Sequence, residues 1–183
     1  DSHLASVIAN VRNTSIDLRK QIIDKLPNDN SDRKNLLLIS LYYDQEKIDD
    51  AYEIVKKIDL TQLNPIDSKV ILTIVLIKKS WEYAIAILDK LLLTERDKRE
   101  IFNYNLRLAN VWYILKEFQK SIDIGEKLLK IDLDEKYLEE KKKKDLLGQT
   151  ILACFERGKI DDSAILKAKE LHEKYELKNI YFD

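Results

Sequence analysis

Apolar residues recur along the chain at steps of three and four, the spacing that places side chains on one face of a helix. One such stripe is Ile48, Ala51, Tyr52, Val55 and Ile58, and similar stripes follow it. The pattern predicts an all-α chain of about ten helices. We predict helices over residues 4–13, 15–26, 32–44, 48–58, 66–78, 81–93, 97–115, 118–131, 135–157 and 160–175.

The breaks between these stripes carry helix start and stop signals. Pro27–Ser31 is a polar turn, and Asn64 precedes Pro65 as an N-cap precedes a proline in the first helical position. Gly158 is placed as a C-cap glycine would be. The β-branched run Val70–Ile77 alone is typical of a buried strand, but no other segment offers a strand partner. We therefore predict a helix that is buried on most sides.

The predicted helices form pairs, and the second helix of each pair opens with a large residue followed three places later by a small one. The small residue allows the two helices to approach closely. Successive small residues are 33, 37 and 42 positions apart, the first close to a 34-residue helix-turn-helix repeat. The four pairs are Ile48 with Ala51, Trp81 with Ala84, Phe118 with Ser121, and Ile160 with Ser163.

The stretch from Leu108 to Ile122 resembles the tetratricopeptide repeat (TPR) family. Leu108-Ala109 matches the leucine and small residue of the first helix, Trp112 the aromatic residue after them, and Phe118-x-x-Ser121 the entry to the second helix. Other repeats depart from the pattern, since Ile39 stands where a small residue is expected and Lys167 where an apolar one is.

The resemblance implies one TPR-like domain over residues 1–183, with antiparallel helix pairs stacked into a right-handed α-solenoid. It covers residues 32–175, and residues 4–26 are expected to form a further, degenerate pair. The implied repeats span residues 4–26, 32–64, 65–98, 99–134 and 135–175.

Composition narrows the function classes. Lys plus Arg number 32 and Asp plus Glu 33, a balance that gives no electrostatic pull toward nucleic acid or acidic membranes. The longest apolar runs are far shorter than the ~20 residues that cross a bilayer. Cys154 is the only cysteine, which rules out an internal disulfide and favours a cytoplasmic location. The sequence contains no methionine, so we expect a fragment or a processed form.

Residue patterns that carry catalysis are missing from the sequence. Its two histidines, His3 and His172, cannot form a histidine-rich metal site, and its three glycines stand apart rather than in a phosphate-binding loop. We therefore predict no enzyme activity and no cofactor. The run Glu139–Lys144 is interpreted as a solvated helix face with i,i+4 ion pairs. Cys154 is interpreted as a small core residue because no base accompanies it.

In TPR proteins the first helices of the pairs line a concave groove that binds ligands, so the resemblance implies which side chains face a partner here. Arg107, Asn110 and Tyr113 would form the centre of this groove, with Arg107 holding a carboxylate and Asn110 a peptide amide. The alternative for each is an ordinary exposed polar residue. The further groove positions are Arg33, Ser40, Tyr43, Lys69, Thr73, Leu76, Asn103, Gln149, Leu152 and Phe155.

Two functions follow from these expectations. The first is a non-enzymatic scaffold that binds a protein or peptide in the groove. The two-carboxylate clamp of some TPR proteins is missing, because Leu36, Ser40 and Val70 occupy three of its places. The second is a peptide-sensing regulatory domain, since residues 105–181 resemble the TPR domains of Gram-positive pheromone-sensing regulators. Its effector module would then lie outside this chain. A homodimer is an open alternative for either function.

Overall fold

The computed structural model describes residues 15–26, 32–130, 136–159 and 161–174, and every regular element within these ranges is helical. The prediction of an all-α fold is confirmed, and the observed helix ends lie within three residues of the predicted ones. The predicted helix over residues 4–13 lies outside the described ranges. The helices are α1 (Ile16–Asp24), α2 (Asp32–Asp44), α3 (Ile48–Val55), α4 (Pro65–Ile77), α5 (Trp81–Thr94), α6 (Lys98–Ile114), α7 (Phe118–Leu128), α8 (Lys136–Gly158) and α9 (Ser163–Lys174).

The β-branched run Val70–Ile77 lies in α4, as predicted. Asn64 caps this helix, since its Oδ1 accepts a hydrogen bond from the Asp67 N–H at 2.9 Å, and Pro65 occupies the first turn. The capping satisfies a backbone donor that the helix leaves free. Ile71, Leu72, Ile74 and Val75 are all buried, which explains why the run lacks a polar face.

Three of the helix pairs share one turn. Glu46, Lys79 and Lys116 each adopt a positive φ, of 58°, 54° and 63°, two residues after the first helix of the pair ends. The next residue in each turn donates its N–H five positions back, with N···O distances of 2.8, 2.8 and 2.9 Å. These are Schellman motifs, which satisfy the last carbonyls of a helix. The turns recur at the same spacing as the small residues.

The small residues of these three pairs are buried as the pattern predicts. Ala51 and Ala84 are fully buried and Ser121 is 1% exposed. The large residues Ile48, Trp81 and Phe118, which open the same helices, are only half-buried. Trp112 of the preceding helix is also half-buried and packs under Lys120, whose Nζ lies 4.1 Å from the ring centroid.

The fourth pair differs from the prediction. Helix α9 begins at Ser163, which is exposed, and the buried small residue is Ala164. The prediction for Ser163 is therefore wrong by one position. Gly158 is still helical and has no positive φ, so it is not the predicted left-handed cap. Its role is close approach, since a Cβ there would lie 2.2 Å from Cδ1 of Ile165.

The chain groups into two compact units that divide within α5, the first ending at Ile87 and the second starting at Leu88. In the first unit, α2 contacts α1, α3 and α4. Arg19 of α1 is buried, forms an ion pair with Asp44, and lies 3.5 Å from the Ser40 hydroxyl through Nη1. Ser40 is therefore buried, and its predicted place in an open groove is wrong because α1 covers it.

In the second unit, α6 contacts α7 and α8, and α8 also contacts α7 and α9. Gly125 of α7 allows a close approach to α8, because a Cβ there would lie 2.0 Å from the Thr150 Oγ1. Lys167 stands at a position expected to be apolar, and it pairs with Glu126 at 2.7 Å. The buried core of this unit consists of Phe102, Ile122, Leu128, Leu129, Leu146, Ile151, Ala153, Cys154, Ala168 and Leu171.

Candidate functional site

Helix α6 of the second unit presents one stripe of side chains that the core does not use. Arg107 and Asn110 are exposed, Ile114 is 51% exposed, and Asn103 is half-buried. Steps of four, three and four place these residues on one side of the helix, and we call them the α6 face. The other sides of α6 are held in the core by Phe102, Tyr104, Leu108, Ala109 and Val111.

The start of α6 is fixed by a side-chain cap. Asp97 Oδ1 accepts hydrogen bonds from the N–H groups of Arg99 and Glu100, at 2.8 and 3.1 Å. The far end is closed by the turn at Lys116. Because both ends and the buried side are fixed, the backbone that carries the α6 face is held in place without a ligand.

Tyr113 lies at the margin of this face rather than at its centre. Three residues correspond to about 300° of helical rotation, so Tyr113 is displaced by about 60° from Asn110. Its ring packs edge-on against Phe118, with centroids 5.7 Å apart, and against the core of the second unit. Its half-buried ring therefore borders the α6 face.

Helix α8 contacts α6 and contributes Gln149, another predicted binding residue. Gln149 is half-buried, and its amide Nε2 is buried without a hydrogen-bond partner among the described residues. One helical turn on, Leu152 is 38% exposed, whereas Phe155 packs on the core. Phe155 is therefore a core-flanking residue rather than the predicted groove residue, because its ring completes the apolar cluster.

The other predicted binding residues belong to the first unit. Tyr43 of α2 is half-buried, and Lys69 of α4 is exposed. Thr73 is half-buried and donates its hydroxyl hydrogen to the Lys69 carbonyl at 3.1 Å, so part of its polar capacity is used inside α4. Helices α2 and α4 contact each other, which places these residues on neighbouring helices of the first unit.

Arg107 carries the only formal charge of the α6 face. The residues three and four positions away include no acid that could pair with it along the helix. No ion pair or hydrogen bond involves its side chain within the part of the chain that the structure describes. Its guanidinium is thus exposed with five donors available to a partner.

Ile114 is the residue of this face that the sequence analysis missed. It is apolar and follows Asn110 by four positions, so it extends the same stripe. The signal for it was present, because a large aliphatic residue on an otherwise polar stripe has no core role.

The single thiol of the chain belongs to Cys154. Burial raises the pKa of the Cys154 thiol to about 11, and this residue is fully buried, as predicted for a core position. Within the described ranges, no group of three or more His, Cys, Asp or Glu side chains is arranged to hold a metal ion. None of the described helices is both long and apolar enough to span a membrane. The side chains of Glu139–Lys144 lie outside what the structure describes.

Comparisons with known proteins identify the fold. The sequence matches no protein-family model, and no curated protein matches it significantly. Among solved structures, the chain is similar to MamA protein, with 18% identity, a TM-score of 0.55, and coverage of 98% of this chain and 100% of that one. It is also similar to a Podospora anserina putative kinesin light chain with nearly identical TPR-like repeats, at 9% identity and a TM-score of 0.53 over 97% of each chain. The fold is therefore that of a TPR-like α-solenoid.

Proposed function

We propose that this chain is a non-enzymatic scaffold that binds a segment of another protein, and that the α6 face is its binding surface. One observation carries the proposal: Arg107, Asn110 and Ile114 are exposed on one stripe of a helix whose opposite sides are largely buried or half-buried. The TPR-like fold supports a protein-interaction scaffold in general. The residues of the face supply the more specific part.

Each residue of the face offers a different kind of contact to an extended segment. The Asn110 amide can donate to and accept from a peptide backbone regardless of its sequence. The guanidinium of Arg107 can hold an anionic group by two parallel hydrogen bonds. Covering the exposed half of Ile114 would contribute about 1 kcal/mol. These contacts need little reorganisation because the α6 backbone is already fixed, which lowers the cost of binding.

Tyr113 and Gln149 remain proposed contact residues of the second unit. The Tyr113 ring offers flat apolar area beside Asn110, and the Gln149 Nε2 has no hydrogen-bond partner among the described residues. Tyr43, Lys69 and Thr73 stay as predicted contact residues of the first unit. A peptide-sensing regulatory role and a homodimer remain predictions from the sequence. A cytoplasmic location also remains a prediction from the sequence.

The test is selection of binding peptides from a displayed random library against the intact protein, followed by titration of the selected peptides. Arg107→Ala and Asn110→Ala should each weaken binding, by about tenfold for Arg107, since a hydrogen bond to a charged group contributes about 1.5–3 kcal/mol. Both residues are exposed, so neither change should alter the melting temperature noticeably. Lys127→Ala is the matched control, because Lys127 is exposed on α7 and lies off this face.

The outcomes separate cleanly. Selected peptides whose affinity falls in the α6 variants and not in Lys127→Ala support the proposal. Peptides that bind all three variants as well as the unchanged protein would place the binding surface elsewhere. A large drop in melting temperature for Asn110→Ala would make that residue structural and contradict the proposal.

A further inference from the structure

The charge of the α6 face is specific enough to indicate the chemistry of its ligand. Arg107 is its one charged residue, is exposed, and has no ion-pair partner within the described ranges. A lone guanidinium matches a single negative charge in a planar group, as a carboxylate provides. A phosphate carries closer to two negative charges and is held best by clustered arginines, whereas the nearest other arginine of α6, Arg99, lies eight positions before Arg107.

Ile114, the apolar residue of the α6 face, sets a second requirement for the ligand. Ile114 is 51% exposed and lies two helical turns beyond Arg107. Seven residues of helix rise by about 10.5 Å, and a peptide in the polyproline II conformation advances about 9.3 Å in three residues, which also returns its side chain to the same side. A polyproline II ligand that lies along α6 would therefore place an acidic side chain and an apolar side chain three positions apart.

Asn110 lies between these two residues on the same stripe. It is about 4.5 Å along the axis from Arg107 and about 6 Å from Ile114. Its amide is thus level with the backbone between the two anchored ligand side chains. This arrangement holds the peptide in an extended form and makes the anchor spacing matter.

Resting on the proposed function, we propose that the partner segment is an extended peptide in the polyproline II conformation, in which Asp or Glu lies three residues from a large aliphatic residue. The carboxylate pairs with Arg107, the aliphatic side chain covers Ile114, and the intervening backbone hydrogen-bonds to Asn110.

Synthetic peptides with an otherwise neutral Ser/Ala sequence test the inference by fluorescence polarisation with the intact protein. One pair carries Asp and Leu three positions apart, in both chain orders. Matched peptides replace Asp by Asn or by Lys, or place Asp and Leu next to each other. We expect the best Asp peptide to bind about tenfold more tightly than its Asn counterpart. Adjacent anchors should bind as weakly as the Asn peptide does.

Charge reversal of the protein gives the sharper result. Arg107→Glu should lose the preference for Asp and acquire one for the Lys peptide, while Arg107→Gln should bind the Asp and Asn peptides equally. Lys127→Glu is the control for a general effect of charge and should keep the Asp preference, because salt screens the interaction between distant exposed charges.

The result distinguishes this inference from the function on which it rests. Peptides that bind through Asn110 but do not discriminate Asp from Asn would overturn the acidic ligand and leave the binding face intact. Library peptides that bind every α6 variant as tightly as the unchanged protein would overturn both the acidic ligand and the proposed binding face. Sedimentation of the protein alone is a further test. If the protein is a dimer and Arg107→Glu dissociates it, the α6 face binds a second copy of the chain, and the proposed peptide ligand is overturned.

Discussion

The close contact between α7 and α8 gives the most decisive test of the second unit. Replacing Gly125 with alanine would place a Cβ 2.0 Å from Thr150 Oγ1, 2.9 Å from its Cγ2 and 3.0 Å from its Cβ. Thr150 is 1% exposed and donates its hydroxyl hydrogen to the Leu146 carbonyl at 2.8 Å. The added methyl group therefore requires either that Thr150 turns away and loses this bond or that the two helices move apart.

The expected cost is the difference between two terms. Overpacking a core contact typically costs about 1–3 kcal/mol, whereas alanine is favoured over glycine inside a helix by about 1 kcal/mol. We therefore expect Gly125→Ala to lower the free energy of unfolding by up to about 2 kcal/mol. Urea denaturation followed by circular dichroism measures this directly.

The chain supplies a matched control and a rescue. Gly148 also lies inside a helix, but a Cβ there would meet no atom within 4 Å, so Gly148→Ala should stabilise by about 0.5–1 kcal/mol. Thr150→Ala removes the two closest atoms and should restore most of the loss in the double variant. If Gly125→Ala proves as stable as Gly148→Ala, the close approach of α7 to α8 is refuted.

Two further predictions concern buried polar groups of the second unit. The Ser121 hydroxyl is buried without a hydrogen-bond partner among the described residues, so Ser121→Ala should raise the free energy of unfolding by about 0.5–1.5 kcal/mol, and a loss of stability in urea would show that the hydroxyl is bonded. Only the thiolate of Cys154 reacts with disulfide reagents, and burial raises its pKa from 9.0 to about 11, so at pH 8 the folded protein should react at least about 100-fold more slowly than the urea-unfolded chain. Equal rates would mean that the thiol is accessible.

The helices could be predicted from the sequence because their signals are local. Periodicity and the Asn64-Pro65 start each depend on a few neighbouring residues, and the structure agrees with them. The error at Ser163 arose because Ala164 is also small. A shift of one position rotates a side chain by about 100° on a helix, and the sequence alone does not decide between two adjacent small residues.

Errors at longer range have a different cause. The sequence predicts Ser40 as an exposed polar residue, but its burial depends on Arg19, which is 21 positions away in another helix. Tyr113 and Phe155 fall near the predicted groove, but their rings also complete the core of the second unit. Whether an aromatic residue serves the core or a ligand depends on neighbours from another helix, which periodicity does not specify.

The three shared turns show how a repeat forms with so few glycines. A positive φ costs a residue with a Cβ about 1–2 kcal/mol, and Glu46, Lys79 and Lys116 all adopt one. The cost is offset because each turn forms hydrogen bonds to carbonyls at the end of the preceding helix. Each turn also leads into the second helix of the pair, whose small residue is buried. Packing of the pair, rather than glycine, therefore determines the turn. At Lys116 the same turn closes α6 directly after Ile114, so the contact that forms the repeat also fixes one end of the proposed binding face.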